Sequence, residues 1–202
     1  MTNPVTRPTL LLQLKDKENF RAWQEFLQLY TPLVFGFCIK RGLNEQDAAD
    51  VCQEVMGAVA GRIEQFSYDR SRGSFRSWLM TVSRNRLNSF FTRRYRQAPT
   101  TSSTTVMELI SEQPTEEERS QWNEDYRRQM FEWAAAQVRG EFEPKSWEAF
   151  WQTALLDKSG HEVAAALGMS AGAVYIARSR VLARLKERVA LAMKDFGLEP
   201  EY

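Results

Sequence analysis

A chain of 202 residues with 27 Lys and Arg against 26 Asp and Glu has a formal net charge of +1, which allows one or two small domains and argues against a non-specific coat on a polyanion. A single histidine and two cysteines leave no Cys/His zinc site, and no cofactor, phosphate-binding glycine loop or nucleophile elbow is legible. The N-terminus lacks the pattern of a secretory leader and no apolar run reaches membrane-spanning length, so no membrane insertion and a cytoplasmic location are expected.

Glycine and proline are sparse, which favours a mostly helical protein. Phe20, Trp23, Phe26, Leu27, Tyr30, Val34, Phe37 and Cys38 recur at offsets of three and four and predict a buried helical stripe over Phe20 to Lys40. Thr31-Pro32 pairs a cap residue with a first-turn proline, so two helices or a kink are expected there. Asn44 caps the next helix, which runs to about Gln65 with Ala48, Val51, Cys52, Val55, Val59 and Ile63 inward. Its outer face carries Asp50, Gln53 and Glu54, which taken alone read as a solvated surface. Cys38 and Cys52 both sit in apolar patterns and are expected as buried free thiols.

Charge then segregates. From Phe66 to Met107 Asp69 is opposed by arginines 70, 72, 76, 84, 86, 93, 94 and 96. The loop Phe66 to Ser74 is polar and basic. A long helix from about Phe75 to Arg96 buries Phe75, Trp78, Leu79, Val82 and Phe90. It shows Arg76, Arg84, Asn85, Arg86, Asn88, Arg93 and Arg94. Arginines interleaved with aromatics suit single-stranded nucleic acid, whose bases stack while cations hold the backbone. Tyr68 is the better stacking residue, because Phe75 and Trp78 fit the core.

Ala98 to Thr105 reads as a Ser/Thr-rich linker. Glu108 to Asp125 is acidic and merges near Thr115 into a helix with Trp122, Tyr126, Met130, Trp133, Ala134 and Val138 on one face. Gly140 ends it. Pro144 starts a helix with Trp147, Phe150, Trp151, Ala154 and Leu155, assigned to core packing. Ser159 and Glu162 form a capping box, Gly168 supplies the left-handed stop, and Ser170 caps a second, arginine-rich helix. Met169 and Val174 are placed as a hydrophobic staple. This is the helix-turn-helix pattern, with duplex DNA as the expected partner. With Val174, Ala177, Val181 and Leu185 inward, the opposite side shows Gly172, Tyr175, Ile176, Ser179 and Arg180. Small residues at Ala171 and Gly172 allow close approach to the duplex. Arg180 is placed to read a guanine, Arg184 to meet phosphate, and Arg178 to snorkel from the core edge.

Three segments together resemble the extracytoplasmic-function (ECF) type of sigma factor in the sigma-70 family. They are Asp47-Ala48-Ala49-Asp50-Val51-Cys52-Gln53-Glu54, then Phe75-Arg76-Ser77-Trp78-Leu79 with Arg84-Asn85-Arg86, and the run Glu162 to Val174. The resemblance implies an all-α protein of two helical domains joined by a flexible acidic linker. Region 2 would occupy 1–97, the linker 98–120, and region 4 with its helix-turn-helix 121–202. It implies that Asp47, Asp50, Gln53 and Glu54 dock on core RNA polymerase, which reverses the solvated reading of that face. Tyr68, Arg70, Arg72, Arg76, Arg84, Asn85, Asn88, Arg93 and Arg94 would hold the opened minus-ten element. Ser170, Ala171, Gly172, Tyr175, Ile176, Arg178, Ser179, Arg180 and Arg184 would meet the minus-thirty-five element. The acidic linker would thread the RNA-exit path, and an anti-sigma partner would be allowed. Tyr175, Ala177 and Arg178 depart from the family's usual choices, which bears on base preference and not on the fold. The alternative from the residues alone is a conventional helix-turn-helix regulator that binds an operator as a dimer. A nuclease reading lacks a carboxylate cluster to ligate a metal.

Overall fold

In the computed structural model residues 10–64, 75–97 and 114–195 are described, and every regular element among them is helical. They are α1 (Leu10–Gln13), α2 (Phe20–Lys40), α3 (Glu45–Arg62), α4 (Phe75–Gln97), α5 (Glu116–Val138), a 3-10 turn at Arg139–Glu141, α6 (Pro144–Ala154), α7 (Gly160–Leu167) and α8 (Ala171–Asp195). The loop 66–74, including Tyr68, Arg70 and Arg72, lies outside the described residues, as do linker residues 98–113. No helix among the described residues is long and apolar enough to cross a membrane.

The chain divides into an N-terminal unit that ends at Gln129 and a C-terminal unit, Met130–Met193. In the first, Asn19 Oδ1 accepts from the Ala22 N–H at 3.1 Å and starts α2. Of the two outcomes expected at Thr31-Pro32, two separate helices are not observed, because α2 runs through Pro32 as one helix. Proline leaves the Gln28 carbonyl without its helical donor. Gln28 and Pro32 are both exposed, so water can serve that carbonyl. Leu29, Tyr30, Leu33 and Val34 are buried on the other side and hold the helix together. Gly42, at φ +86°, ends the unit's first helical run.

Asn44 starts α3 by accepting from the Asp47 N–H at 2.8 Å. Helix α3 stops at Arg62, three residues short of expectation. The inward stripe Ala48, Val51, Cys52, Val55, Val59 and Ile63 is buried as read. So are both thiols. Burial, with Cys52 nearby, pushes Cys38 up to about 12, and burial pushes Cys52 up to about 11. Trp78 and Phe90 are only partly buried.

The core of this unit is aromatic. The Phe75 ring meets Phe26 edge-on at 6.0 Å and Tyr30 at 5.4 Å. Tyr126 stacks on Tyr30 at 6.3 Å, and Trp122 meets Phe37 at 5.1 Å. Each such ring buried contributes about 1.5–3 kcal/mol. Tyr126 and Trp122 come from α5, the helix that the sequence gives from residue 121 to the C-terminal domain. Its first half instead completes the N-terminal core, and the divide falls after Gln129. The stripe Trp122, Tyr126, Met130, Trp133 and Val138 is continuous and buried throughout. Periodicity marks such a stripe without naming what covers it.

A second capping box starts α5. The Glu118 N–H donates to Thr115 Oγ1 at 3.1 Å and the Thr115 N–H to Glu118 Oε2 at 3.0 Å. The same carboxylate accepts from Arg41 at 2.9 Å and from Arg84. Arg84 is 5 % exposed, so its charge depends on that partner. Lys40 holds Asp125 at 2.6 Å one face along. Burial alone would raise the Glu118 carboxyl. The Arg41 hydrogen bond, the Thr115 N–H and both guanidinium charges outweigh it, and the net shift is downward.

In the C-terminal unit Trp147 and Phe150 are buried while Trp151, Ala154 and Leu155 are exposed, against the core assignment. Helix α6 has 11 residues, and one stripe, Trp147, Phe150 and Thr153, fills its inner face. Trp151 stacks on Trp147 at 6.4 Å from outside that stripe, and Leu155 lies beyond the helix end.

Glu118→Gln should lower the stability of the N-terminal unit by about 2–3 kcal/mol, part of the about 3–5 kcal/mol for a broken buried pair being screened by water at Glu118. A carboxylate whose folded pKa is depressed stabilises above its unfolded value of about 4.3 and loses that contribution as pH falls through the folded value. Denaturant melts of the wild type should therefore weaken on acidification below about pH 4.3 more steeply than those of Glu118→Gln. Parallel pH profiles would contradict the clamp.

Candidate nucleic-acid interface

Two surfaces bring the sequence's candidate residues together. On the N-terminal unit α3 packs against α4. Asp50 and Gln53 are exposed on α3. Asp47 and Glu54 are half-buried and engaged with α4. Arg94 Nη1 reaches Asp47 Oδ2 at 2.5 Å, and Arg93 Nη2 reaches Glu54 Oε1 at 2.7 Å. Asp47 also accepts from Asn44 Nδ2 at 2.9 Å. Acids assigned from sequence to one partner and arginines assigned to another thus neutralise each other. Each pair is exposed, worth about 0.2–1 kcal/mol, and weakened by salt.

The remaining basic candidates of α4 separate. Arg84 is taken out of solvent by Glu118, so the expected phosphate contact gives way to a structural one. Arg76 is half-buried with its guanidinium 5.1 Å from the Tyr126 ring centre, a cation–π seat. Asn85 is exposed and Asn88 half-buried. Arg93 and Arg94 keep more than half of their side-chain surface open, at 53 % and 62 %. The open basic surface of α4 is therefore its C-terminal end.

The second surface is built by α7 and α8. Ser159 and Glu162 form the expected capping box. The Glu162 N–H donates to Ser159 Oγ at 3.2 Å, and the Ser159 N–H donates back to Glu162 Oε2 at 3.0 Å. The Ser159 hydroxyl and N–H hold the Glu162 carboxyl below its usual range. Gly168 ends α7 in the left-handed region at φ +61°, and the Met169 N–H closes on the Ala164 carbonyl at 2.9 Å. Ser170 Oγ accepts from the Ala173 N–H at 3.2 Å and starts α8. Val174, Ala177, Val181 and Leu185 are buried. Val174 and Ala177 pack with Val163, Ala164 and Ala149, and Met169 lies against that cluster in its staple position. One helix turn thus fixes the other through small apolar contacts.

The opposite side of α8 is open as read. Tyr175 is 51 % and Ile176 54 % exposed, and Ser170, Gly172, Ser179 and Arg180 are exposed beside them. Ala171 is half-buried and packs on the apolar cluster. Arg178 is exposed and not at the core edge. Arg184 departs from expectation. Its Nε and Nη2 bind Glu141 at 2.6 and 3.0 Å, and Nη1 binds Glu187 at 2.8 Å. The Glu141 hydrogen bond leads the rise in the Arg184 pKa. Arg184 therefore fastens α8 to the 3-10 turn through exposed ion pairs to Glu141 and Glu187. His161 is exposed in the first turn of α7.

Sequence reasoning missed Glu118 and Glu141. Thr115-x-x-Glu118 was readable as a capping box by its spacing. The Glu141 partnership spans 43 residues and has no local signal. Among the described residues no group of three His, Cys, Asp or Glu could hold a metal ion.

Residues 26–97 match the family described as Sigma-70 region 2. The ECF RNA polymerase sigma factor RpoE of Cereibacter sphaeroides is 34% identical over 77 residues, 38% of this chain and 41% of that protein. The chain thus matches about two-fifths of the length of this relative. The structure of CnrH in complex with the cytosolic domain of CnrY aligns over 88% of this chain and 93% of that one, at 22% identity and a TM-score of 0.35.

Gly168→Ala would place a Cβ in the left-handed region and should destabilise the C-terminal unit by about 1–2 kcal/mol. A thermal melt of the full chain checks this, and an unchanged transition would contradict the turn geometry.

Proposed function

We propose that the chain is an ECF-type sigma factor of the sigma-70 family, a promoter-specificity factor that joins core RNA polymerase and directs it to a start site; the match of residues 26–97 to Sigma-70 region 2 and the likeness to an ECF sigma factor over 77 residues support this reading. One observation carries this reading. A region 2 domain with Asp50 and Gln53 exposed on α3 shares a chain with a helix-turn-helix whose open side presents Tyr175, Ile176, Ser179 and Arg180.

The chain supplies binding and no chemistry of its own. Asp50 and Gln53 meet the polymerase first, because they are already open. Asp47 and Glu54 join on release from Arg94 and Arg93. That release returns two positive charges to the end of α4, where the non-paired strand of a melted minus-ten element would run. Docking and strand capture are thereby coupled, with each displaced ion pair contributing about 0.2–1 kcal/mol. Unstacking bases takes a few kcal/mol per step, and stacking returns about 1–3 kcal/mol per base, with phosphate contacts adding to it. By sequence Tyr68, Arg70 and Arg72 are assigned to the same element, and they lie outside the described residues. Arg84 is left out of it and Arg76 sits against Tyr126. On duplex DNA, α8 enters the major groove at the minus-thirty-five element, with Arg180 placed for a base edge. The linker's acidic residues make it a segment that a polyanionic transcript can displace, and an anti-sigma protein would compete for either surface.

Asp50→Arg should abolish co-purification with core polymerase while the melting transition of the chain stays put, and a variant that still joins the polymerase would remove Asp50 from the interface. Arg180→Ala in the assembled holoenzyme should relax base choice at one upstream position by about 1–3 kcal/mol. Sequencing of transcripts from a promoter library reads that directly, and unchanged selectivity would overturn the register of α8.

A further inference from the structure

Helix α7 begins with Gly160, at a position whose backbone does not require glycine. Its φ is not in the left-handed region, unlike Gly42 and Gly168. Glycine inside a helical turn gives up backbone entropy that alanine would keep. The space tells what the missing side chain permits. A Cβ on Gly160 would stand 2.7 Å from Tyr175 Cζ, 2.8 Å from Oη and 3.0 Å from Cε2. The Tyr175 ring therefore leaves α8, crosses the turn and rests on the first residue of α7, burying Gly160 beneath it. Half of Tyr175 remains open, beside exposed Ile176, Ser179 and Arg180.

We infer that Gly160 is a positioning residue for upstream promoter selectivity and acts by seating the Tyr175 ring. This rests on the reading of α8 as the helix that meets the minus-thirty-five element. A ring clamped on one side presents a fixed face and a fixed hydroxyl to the groove, so less ordering is needed on binding. A Cβ at 160 collides with the far end of the ring and not with backbone. Substitution thus redirects the ring and leaves the capping box of α7 in place. Gly160 touches no DNA in this scheme, and its whole effect passes through Tyr175.

A double-mutant cycle tests this. Holoenzymes assembled from bacterial core polymerase and the full-length wild type, Gly160→Ala, Tyr175→Ala, the double variant or Arg180→Ala would transcribe a duplex library randomised across the upstream element. Gly160→Ala should shift base preference at the positions that Tyr175→Ala shifts, by roughly tenfold, within the range of one base contact. It should shift nothing further once Tyr175 is alanine, and polymerase affinity should be the same in all five. Unaltered preference in Gly160→Ala alongside a shift in Tyr175→Ala overturns the inference, as does simple addition of the two effects. A shift in Arg180→Ala with none in either Gly160→Ala or Tyr175→Ala overturns the positioning role and leaves the reading of α8 standing. No shift in any variant removes that reading and the inference with it. Should Gly160→Ala misfold, restored folding in the double variant supports the ring as the obstacle, and persistent misfolding overturns it.

Discussion

The N-terminal half of this molecule depends on one carboxylate. Glu118 closes the first turn of α5 on Thr115 and receives Arg41 and Arg84 at the same time. A guanidinium as buried as Arg84 is stable only against a fixed counter-charge. The clamp therefore does two things at once. It permits a buried arginine, and it fastens a helix that follows the acidic segment onto the helices that precede it. Trp122 and Tyr126 then complete the ring cluster of Phe26, Tyr30, Phe37 and Phe75. Region 2, as matched by sequence, ends at residue 97, but its core is closed by residues beyond that limit.

The pairing of Asp47 with Arg94 and of Glu54 with Arg93 has a different character. These groups are exposed or half-exposed, and their attraction is modest and screened. They hold nothing together that packing does not already hold. Their effect is on availability, since a carboxylate engaged by its own chain offers less charge to a second protein. Arg184, held by Glu141 and Glu187, shows the same economy in the C-terminal unit, where Arg178 and Arg180 stay open.

Much of this was legible before the structure, and for a common reason. The capping box at Ser159, the left-handed stop at Gly168, the cap at Ser170 and the stripe Val174, Ala177, Val181 and Leu185 are all decided within a few residues. The stripe of α3 and the two buried thiols follow from period and composition in the same way. The departures at Arg84, Arg184 and α5 involve distance along the chain. Nothing near Arg84 in sequence announces Glu118, 34 residues on, so from sequence alone this arginine looks like part of a basic DNA-facing surface. The Arg184 pairing with Glu141, 43 residues away, has no local signal either. The stripe of α5 was correct as a stripe, but its periodicity could not divide it between two cores. The cap-proline pair at Thr31-Pro32 does not split α2 in two, because buried neighbours on the far side hold the helix together.

The two cysteines carry a practical consequence. Cys38 and Cys52 are enclosed and stay as neutral thiols well above physiological pH, where a maleimide finds almost no thiolate to attack. The native polypeptide is thus a silent background for chemistry at a single introduced surface sulfhydryl. Fluorophores placed one at a time on the ends of α4 and α8 could follow each helix separately through any binding event, with no need to strip the protein of its own sulfur.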